Sequence, residues 1–242
     1  MALVVEKLGK NYQQLNILRN LSVTVEKGEF CCITGPSGCG KSTLLRLIAG
    51  LESSDTGRII VDGSSPSPGG REIGFVFQED TLFPWLTIKK NITFPLELSG
   101  MKREKREELA AYFLRLTNLQ QFGGHYPHQL SGGMKQRVAV ARALAYKPKV
   151  VLMDEPFAAL DAQTRNYMQQ QLIELWEHEK LTIVFVTHNI DEALYLADRV
   201  LVLTGRPAGN RQEFLVKLPR PRQRTSLPFV KLREQILSLM AN

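Results

Sequence analysis

Gly35-Pro36-Ser37-Gly38-Cys39-Gly40-Lys41-Ser42-Thr43 is the stretch that decides the fold. The apolar run Phe30–Thr34 precedes it, and Leu44, Leu45 and Ile48 follow at helical spacing before Gly50. The order is strand, glycine-rich loop, helix, and the loop matches G-x-x-x-x-G-K-[ST] in full. Its glycines let the backbone close around phosphate with N–H groups pointing inward, and the helix behind adds its N-terminal partial charge. In that arrangement Lys41 bridges β- and γ-phosphates and Ser42 ligates Mg²⁺. Cys39 reads as a small spacer inside the loop.

Outward from this loop, residues 150–153, 183–186 and 200–203 are short runs that are apolar throughout. Helical stretches at about 132–146, 162–179 and 190–197 separate them. Such runs are parallel strands covered on both faces. Residues 3–5 and 17–25 also read as strands, with Leu21, Val23 and Val25 alternating with Ser22 and Thr24. From about residue 84 to 129 no parallel strand is evident; residues 104–119 form a charged amphipathic helix with Leu109, Phe113, Leu116 and Leu119 on one side. Residues 64–70, SSPSPGG, read as a turn. The expected fold is α/β with a helical insertion.

Asp154 and Glu155 end the run at 150–153, just ahead of Pro156. Ligands sit at the C-terminal ends of strands in open α/β sheets, and two unpaired carboxylates are costly to bury. Asp154 therefore reads as a holder of Mg²⁺, and Glu155 as the group that reaches a water attacking the γ-phosphate. Leu130-Ser131-Gly132-Gly133-Met134-Lys135-Gln136-Arg137 places an N-cap serine and two glycines at another helix start, with exposed amides. Met134, Val138, Ala141 and Leu144 are expected inward on that helix.

Together these segments resemble the ATP-binding-cassette (ABC) ATPases. Residues 130–134 match the LSGGQ signature, with Met134 where Gln is commonest, a position that varies among importer-type members. The resemblance covers nearly the whole chain, with the motifs in the family's order. It implies a P-loop NTPase core with a mixed, mainly parallel sheet, an N-terminal antiparallel β-subdomain and an inserted α-helical subdomain. The ATPase domain would span 1–205, with a RecA-like core over 1–83 and 147–205 and the insertion over about 84–146. A basic extension, 206–242, would end in an amphipathic helix, for which Phe229, Leu232, Ile236 and Leu239 have the right spacing over 228–241.

The resemblance also assigns roles. Tyr12 would stack on adenine. Gln78, closing the strand-like IGFVF run, would sense Mg²⁺ and the attacking water, and His188 would contact the γ-phosphate. Asp161, in Ala158-Ala159-Leu160-Asp161, would lie in the loop that crosses between paired cassettes. The implied catalytic set is Glu155, His188, Gln78 and Lys41. The implied nucleotide-binding set is Tyr12, Gly35, Pro36, Ser37, Gly38, Cys39, Gly40, Lys41, Ser42, Thr43, Gln78, Ser131, Gly132, Gly133 and Asp161. Ser42, Gln78 and Asp154 make up the metal set. Cassettes of the family pair head to tail, so that one phosphate loop and the other copy's Ser131-Gly132-Gly133 enclose each ATP. A homodimer with two composite sites is implied.

Charge bears on partners. The chain carries 31 Lys+Arg against 24 Asp+Glu, a net of +7. Residues 206–242 hold Arg206, Arg211, Lys217, Arg220, Arg222, Arg224, Lys231 and Arg233 against Glu213 and Glu234, leaving 23 basic and 22 acidic side chains for residues 1–205. A nearly neutral body with a basic tail argues against a nucleic-acid footprint. Arg220, Arg222 and Arg224 read as a solvated linker, with anionic headgroups or a permease's cytoplasmic face as the alternative neighbour. There is no run of 18 apolar residues. The first ten residues read as strand rather than leader. The three cysteines, Cys31, Cys32 and Cys39, are too close together for a disulfide framework, which fits a reducing cytosol.

Asp80-Thr81-Leu82-Phe83-Pro84-Trp85-Leu86-Thr87 follows Gln78 closely, and its cluster of Leu82, Phe83, Trp85 and Leu86 is either core or a groove for a partner helix. The family contacts its membrane subunit just there. The runs at 83–101 and 219–237 resemble the nitrate/sulfonate/taurine branch of bacterial importers. The expectation is an ATP-hydrolysing importer subunit held peripherally at the cytoplasmic face of the inner membrane. It would work with permease subunits and, indirectly, an external solute-binding protein. A soluble assembly or release ATPase of the same family is the alternative.

Overall fold

The computed structural model of the chain describes residues 1–67, 69–79, 81–205 and 207–240. Pro68 of the 64–70 turn, Asp80 ahead of the aromatic run, and Arg206 in the tail lie outside them, as does the side chain of Arg211. Three layers are stacked. The first is an antiparallel sheet made of β1 (Leu3–Tyr12), β2 (Leu15–Val25) and β4 (Thr56–Val61), in the order β2-β1-β4. The second is a six-stranded sheet containing β3 (Phe30–Thr34), β5 (Ile73–Val76), β6 (Val150–Asp154), β7 (Thr182–Val186), β8 (Arg199–Thr204) and β9 (Asn210–Leu215). Its order is β5-β6-β7-β3-β8-β9, parallel except for the β8–β9 pair. Helix α1 (Lys41–Ile48) lies between the two sheets. The third layer is helical: α2 (Ile88–Leu98), α3 (Arg103–Leu116), α4 (Gly132–Ala145), α5 (Ala162–Glu179), α6 (Ile190–Leu196) and α7 (Leu227–Met240).

The central strands show why they are apolar throughout. Phe30, Cys32, Val151, Met153, Ile183 and Phe185 enter the core shared with the helices, while Cys31, Ile33, Val150, Leu152, Val184 and Val186 face α1 and the antiparallel sheet. The period of two sends alternate side chains to two different cores, and both are dry.

Several elements differ from the sequence expectation. β1 runs to Tyr12 as the central strand of the antiparallel sheet, and β4 joins it at one edge, where the polar residues that hide a strand from a pattern search are tolerated. α2 forms in spite of Pro95, anchored by Thr87 as N-cap. Asn91 on that helix is fully buried: its amide donates to the Phe83, Leu86 and Thr87 carbonyls and accepts from the Phe83 N–H. The aromatic run is thereby split, with Leu82 in the core and Trp85 71% exposed.

The tail is the main correction. Residues 206–242 are not an appendage from their start, since β9 extends the main sheet and α7 docks through the fully buried Phe229 and Ile236. The arginines between them are not a solvated linker: each bonds the folded body. Arg222 is 6% exposed and donates to the carbonyls of Leu194, Tyr195, Ala197, Val216 and Leu218. Arg220 donates to Asp198 (2.8 Å) and the Leu196 carbonyl (2.6 Å) and stacks on Trp176. The last carbonyls of a helix have no partners within it and carry partial negative charge. A seven-residue helix such as α6 offers such carbonyls, and the arginines occupy them.

Candidate active site

The strand order β6-β7-β3 sets the C-terminal ends of three parallel strands side by side. The phosphate loop leaves β3 there. Gly40 caps α1 at φ 99°, and a Cβ on it would come within 2.8 Å of Ile17 and 2.9 Å of Leu18. A Cβ on Gly35 would run into the Leu203 carbonyl. Only glycine fits at either position. Cys39 is buried. Lys41 is 7% exposed, and its ammonium donates to the Gly35 and Pro36 carbonyls, each at 2.9 Å. The cation is thus aimed into the loop it would share with phosphate.

Ser42 Oγ donates to Asp154 Oδ1 at 3.1 Å. Asp154 is 5% exposed, and burial pushes its carboxyl up, opposed by the Ser42 hydrogen bond. A buried carboxylate beside a serine hydroxyl is the oxygen set that a hard divalent ion prefers. Glu155 follows at φ 45°, its N–H donating to the Val186 carbonyl. Its Oε2 lies 2.9 Å from His188 Nδ1 at the end of the neighbouring strand. Gln78 stands exposed just beyond β5, which adjoins β6 at the same sheet edge. Gln136 of α4, which the sequence did not mark as functional, donates to the Phe77 carbonyl at 3.0 Å and ties the signature helix to that turn. Tyr12, at the end of β1, bonds Glu52 through its hydroxyl, has Thr43 as a second neighbour, and carries the Lys10 ammonium 5.2 Å from its ring centre.

The remaining predicted residues form a second group. Ser131 caps α4 by accepting from the Met134 N–H. Gly133 lies close enough to Leu160 that a Cβ would sit 3.0 Å from its Cδ2. Asp161 caps α5 by accepting from the Thr164 N–H at 3.0 Å, which holds its carboxyl below the usual range. Arg165 pins this loop through the Phe157 and Leu160 carbonyls. Among the described residues, no hydrogen bond joins this group to the phosphate loop.

A family model described as ABC transporter matches residues 18–158, more than half of the chain. The chain belongs to the ABC transporter family. It is 50% identical over 98% of its length to an ABC transporter ATP-binding protein of Methanocaldococcus jannaschii, covering 91% of that relative. It is 46% identical to a nitrate import ATP-binding protein of Synechocystis (92% of this chain, 87% of the relative). It is 43% identical to an aliphatic sulfonates import ATP-binding protein of Bacillus cereus (97% and 92%). A solved dimeric ATP-binding cassette in a post-hydrolysis state with ADP and Pi superposes with a TM-score of 0.81 at 34% identity, covering 90% of this chain and all of that one. A second dimeric structure of that same cassette gives 0.82 over the same shares. As an ABC cassette, the chain is an ATPase with a P-loop NTPase fold, and the solved cassettes it resembles are dimers. No helix among the described residues is long and apolar enough to cross a membrane.

Proposed function

We propose that this chain is the ATP-hydrolysing subunit of an importer that takes up a small anion of the nitrate or sulfonate kind through a permease. The observation that carries the hydrolytic reading is the pair of contacts at one sheet edge, Ser42–Asp154 and Glu155–His188, beside the phosphate loop. The loop amides and Lys41 bind the phosphates, with the ammonium exchanging its Gly35 and Pro36 carbonyls for phosphate oxygens. Ser42, Asp154 and Gln78 would hold Mg²⁺, which would supply positive charge against the phosphates of the bound nucleotide. Glu155 orients a water and takes its proton as the water oxygen bonds to the γ-phosphorus and the bridging oxygen leaves with ADP. His188, held by Glu155, faces the γ-phosphate, and Tyr12 stacks on adenine. The second copy supplies Ser131, Gly132 and Gly133 to close the site, and Asp161 lies at the crossing. ATP therefore favours the closed dimer and its hydrolysis the open one.

The importer reading rests on the import ATP-binding relatives and on a groove of about 730 Å³ beside Gln78. Phe75, Phe77, Phe83, Phe94, Arg71 and Arg142 line it, and Trp85 stands exposed on the aromatic run that borders it. An apolar floor with two cations on its rim fits a permease helix at the cytoplasmic face of the membrane.

The direct test is Glu155→Gln. The variant is expected to accumulate as an ATP-bound dimer on size exclusion, with turnover down roughly a hundredfold or more, the scale set by losing a general base. Near-normal hydrolysis would remove Glu155 from that role.

A further inference from the structure

A continuous run of hydrogen bonds leads from the tail to the turn that carries His188. Arg224 donates through Nη1 to Asn166 Oδ1 at 2.7 Å and through Nη2 to Gln169 Oε1, with its guanidinium 4.5 Å from the Tyr195 ring centre. Gln169 Nε2 donates to Glu192 Oε1 at 2.8 Å. Gln169 and Glu192 are both buried, at 1% and 5% exposure. A guanidinium only donates and a carboxylate only accepts, so the amide between them has one workable orientation. The Thr187 side chain also hydrogen-bonds the Glu192 carboxylate. Thr187 Oγ1 accepts from the Asn189 N–H at 3.0 Å, and Asn189 Oδ1 accepts from the Glu192 N–H at 3.2 Å. The residues on either side of His188 are therefore both fastened to Glu192.

We propose that Arg224 is a positioning residue for ATP hydrolysis, acting through Gln169 and Glu192 to fix the Thr187–Asn189 turn and with it His188. This rests on the reading of His188 as the group that faces the γ-phosphate. A buried carboxylate needs its donors, since burial pushes Glu192 up while Thr187 and Gln169 oppose the rise. Arg165 and His188 are the charged or titratable groups facing it. A cavity of about 60 Å³, lined by Glu155, Thr187, His188 and Glu192 among others, connects this carboxylate with the hydrolytic pair. The tail also grips α6 at its first turn, where Arg233 pairs with Asp191 at 3.4 Å.

The test is steady-state ATP hydrolysis by the full chain. Arg224→Ala is expected to lower kcat about fivefold, the scale of a coupled hydrogen-bond network, with the KM for ATP unchanged. Arg224→Lys should restore most of the loss. Arg224→Ala combined with Glu192→Gln should be no slower than Glu192→Gln alone, because both act through one chain of contacts. Lys231→Ala removes an exposed tail charge elsewhere on α7 and should leave kcat alone. Unchanged kcat in Arg224→Ala overturns the proposal, as does a fully additive double variant or an equal loss in Lys231→Ala. If Arg224→Ala does not fold, Gln169→Met keeps the side-chain shape and removes both bonds. A folded Gln169→Met chain with normal kcat is equally fatal. A His188→Ala chain that hydrolyses ATP normally overturns the parent reading and this inference with it. A slow His188→Ala chain beside a normal Arg224→Ala chain overturns this inference alone.

Discussion

Replacing Arg222 by Met should cost the folded chain about 3 kcal/mol. Five carbonyl oxygens accept from this guanidinium at 2.6–3.3 Å: Leu194, Tyr195, Ala197, Val216 and Leu218. The side chain is 6% exposed. Each acceptor left unsatisfied costs about 1–3 kcal/mol, so the gross loss is about 5–15 kcal/mol. Three effects offset it. Methionine refills the volume of the arginine stem. It also relieves the burial that pushes the guanidinium down to about 10, a real penalty on the charged form. Water reaching the outermost carbonyls recovers more, and a net loss near 3 kcal/mol remains, at the low end for breaking a buried ionic contact (about 3–5 kcal/mol). For a chain of this size that is a fall of about 6–12 °C in the melting midpoint. Calorimetry of the nucleotide-free chain measures it. Arg222→Lys should recover less than half, because a point ammonium cannot span carbonyls that a planar fork reaches together. A solvent-facing linker arginine would instead change stability by no more than about 0.5 kcal/mol. A midpoint within about 2 °C of the parent would refute the clamp and restore the linker reading.

Two further outcomes are expected. Asp161 accepts the Thr164 N–H and so titrates below an unfolded aspartate; its contribution is present above the unfolded value and lost as pH falls through the folded one. Asp161→Ala should therefore melt lower than the parent at neutral pH, with the gap closing in acid, and a gap independent of pH would show that the cap is not the cause. Trp85→Ala, at a 71% exposed side chain, should leave the melting midpoint and the hydrolysis of the isolated chain unaltered while reducing recovery of a permease from solubilised native membranes; undiminished recovery would remove Trp85 from the contact.

The phosphate loop, the acidic strand end and the parallel strands were legible because each rests on a local rule. A Cβ cannot stand at Gly40, two carboxylates end an apolar run, and the strands bury both faces. What stayed hidden depends on partners distant in sequence. Nothing near Gln136 announces that it meets the Phe77 carbonyl 59 residues away. β9 is too polar to read as a strand, because it lies at the open edge of the sheet. Arginine misleads most. Its charge argues for solvent, yet the fork and stem of Arg222 suit a helix end whose carbonyls only the folded chain assembles.

This changes the meaning of the charge excess in residues 206–242. A basic tail pointing outward would act at long range and weaken with salt. Arg220, Arg222 and Arg224 are instead spent on contacts a few ångströms long, where screening is slight. Several of those contacts fall on two helices, α5 and α6. Arg224 bonds Asn166 and Gln169 on α5, the helix that Asp161 caps on the surface shared with Ser131–Gly133, and its guanidinium lies over Tyr195 on α6, the helix that follows His188. One side chain thus spans the helix that Asp161 caps and the helix that follows His188. In a dimer whose halves part and meet, α5 and α6 would move together, joined by the Gln169–Glu192 bond and reinforced by the Arg224 tie. Cutting it in Arg224→Ala should then blur the ATP-driven dimerisation of a Glu155→Gln background as well as slow turnover. An equally sharp transition in that double variant would confine Arg224 to the histidine turn.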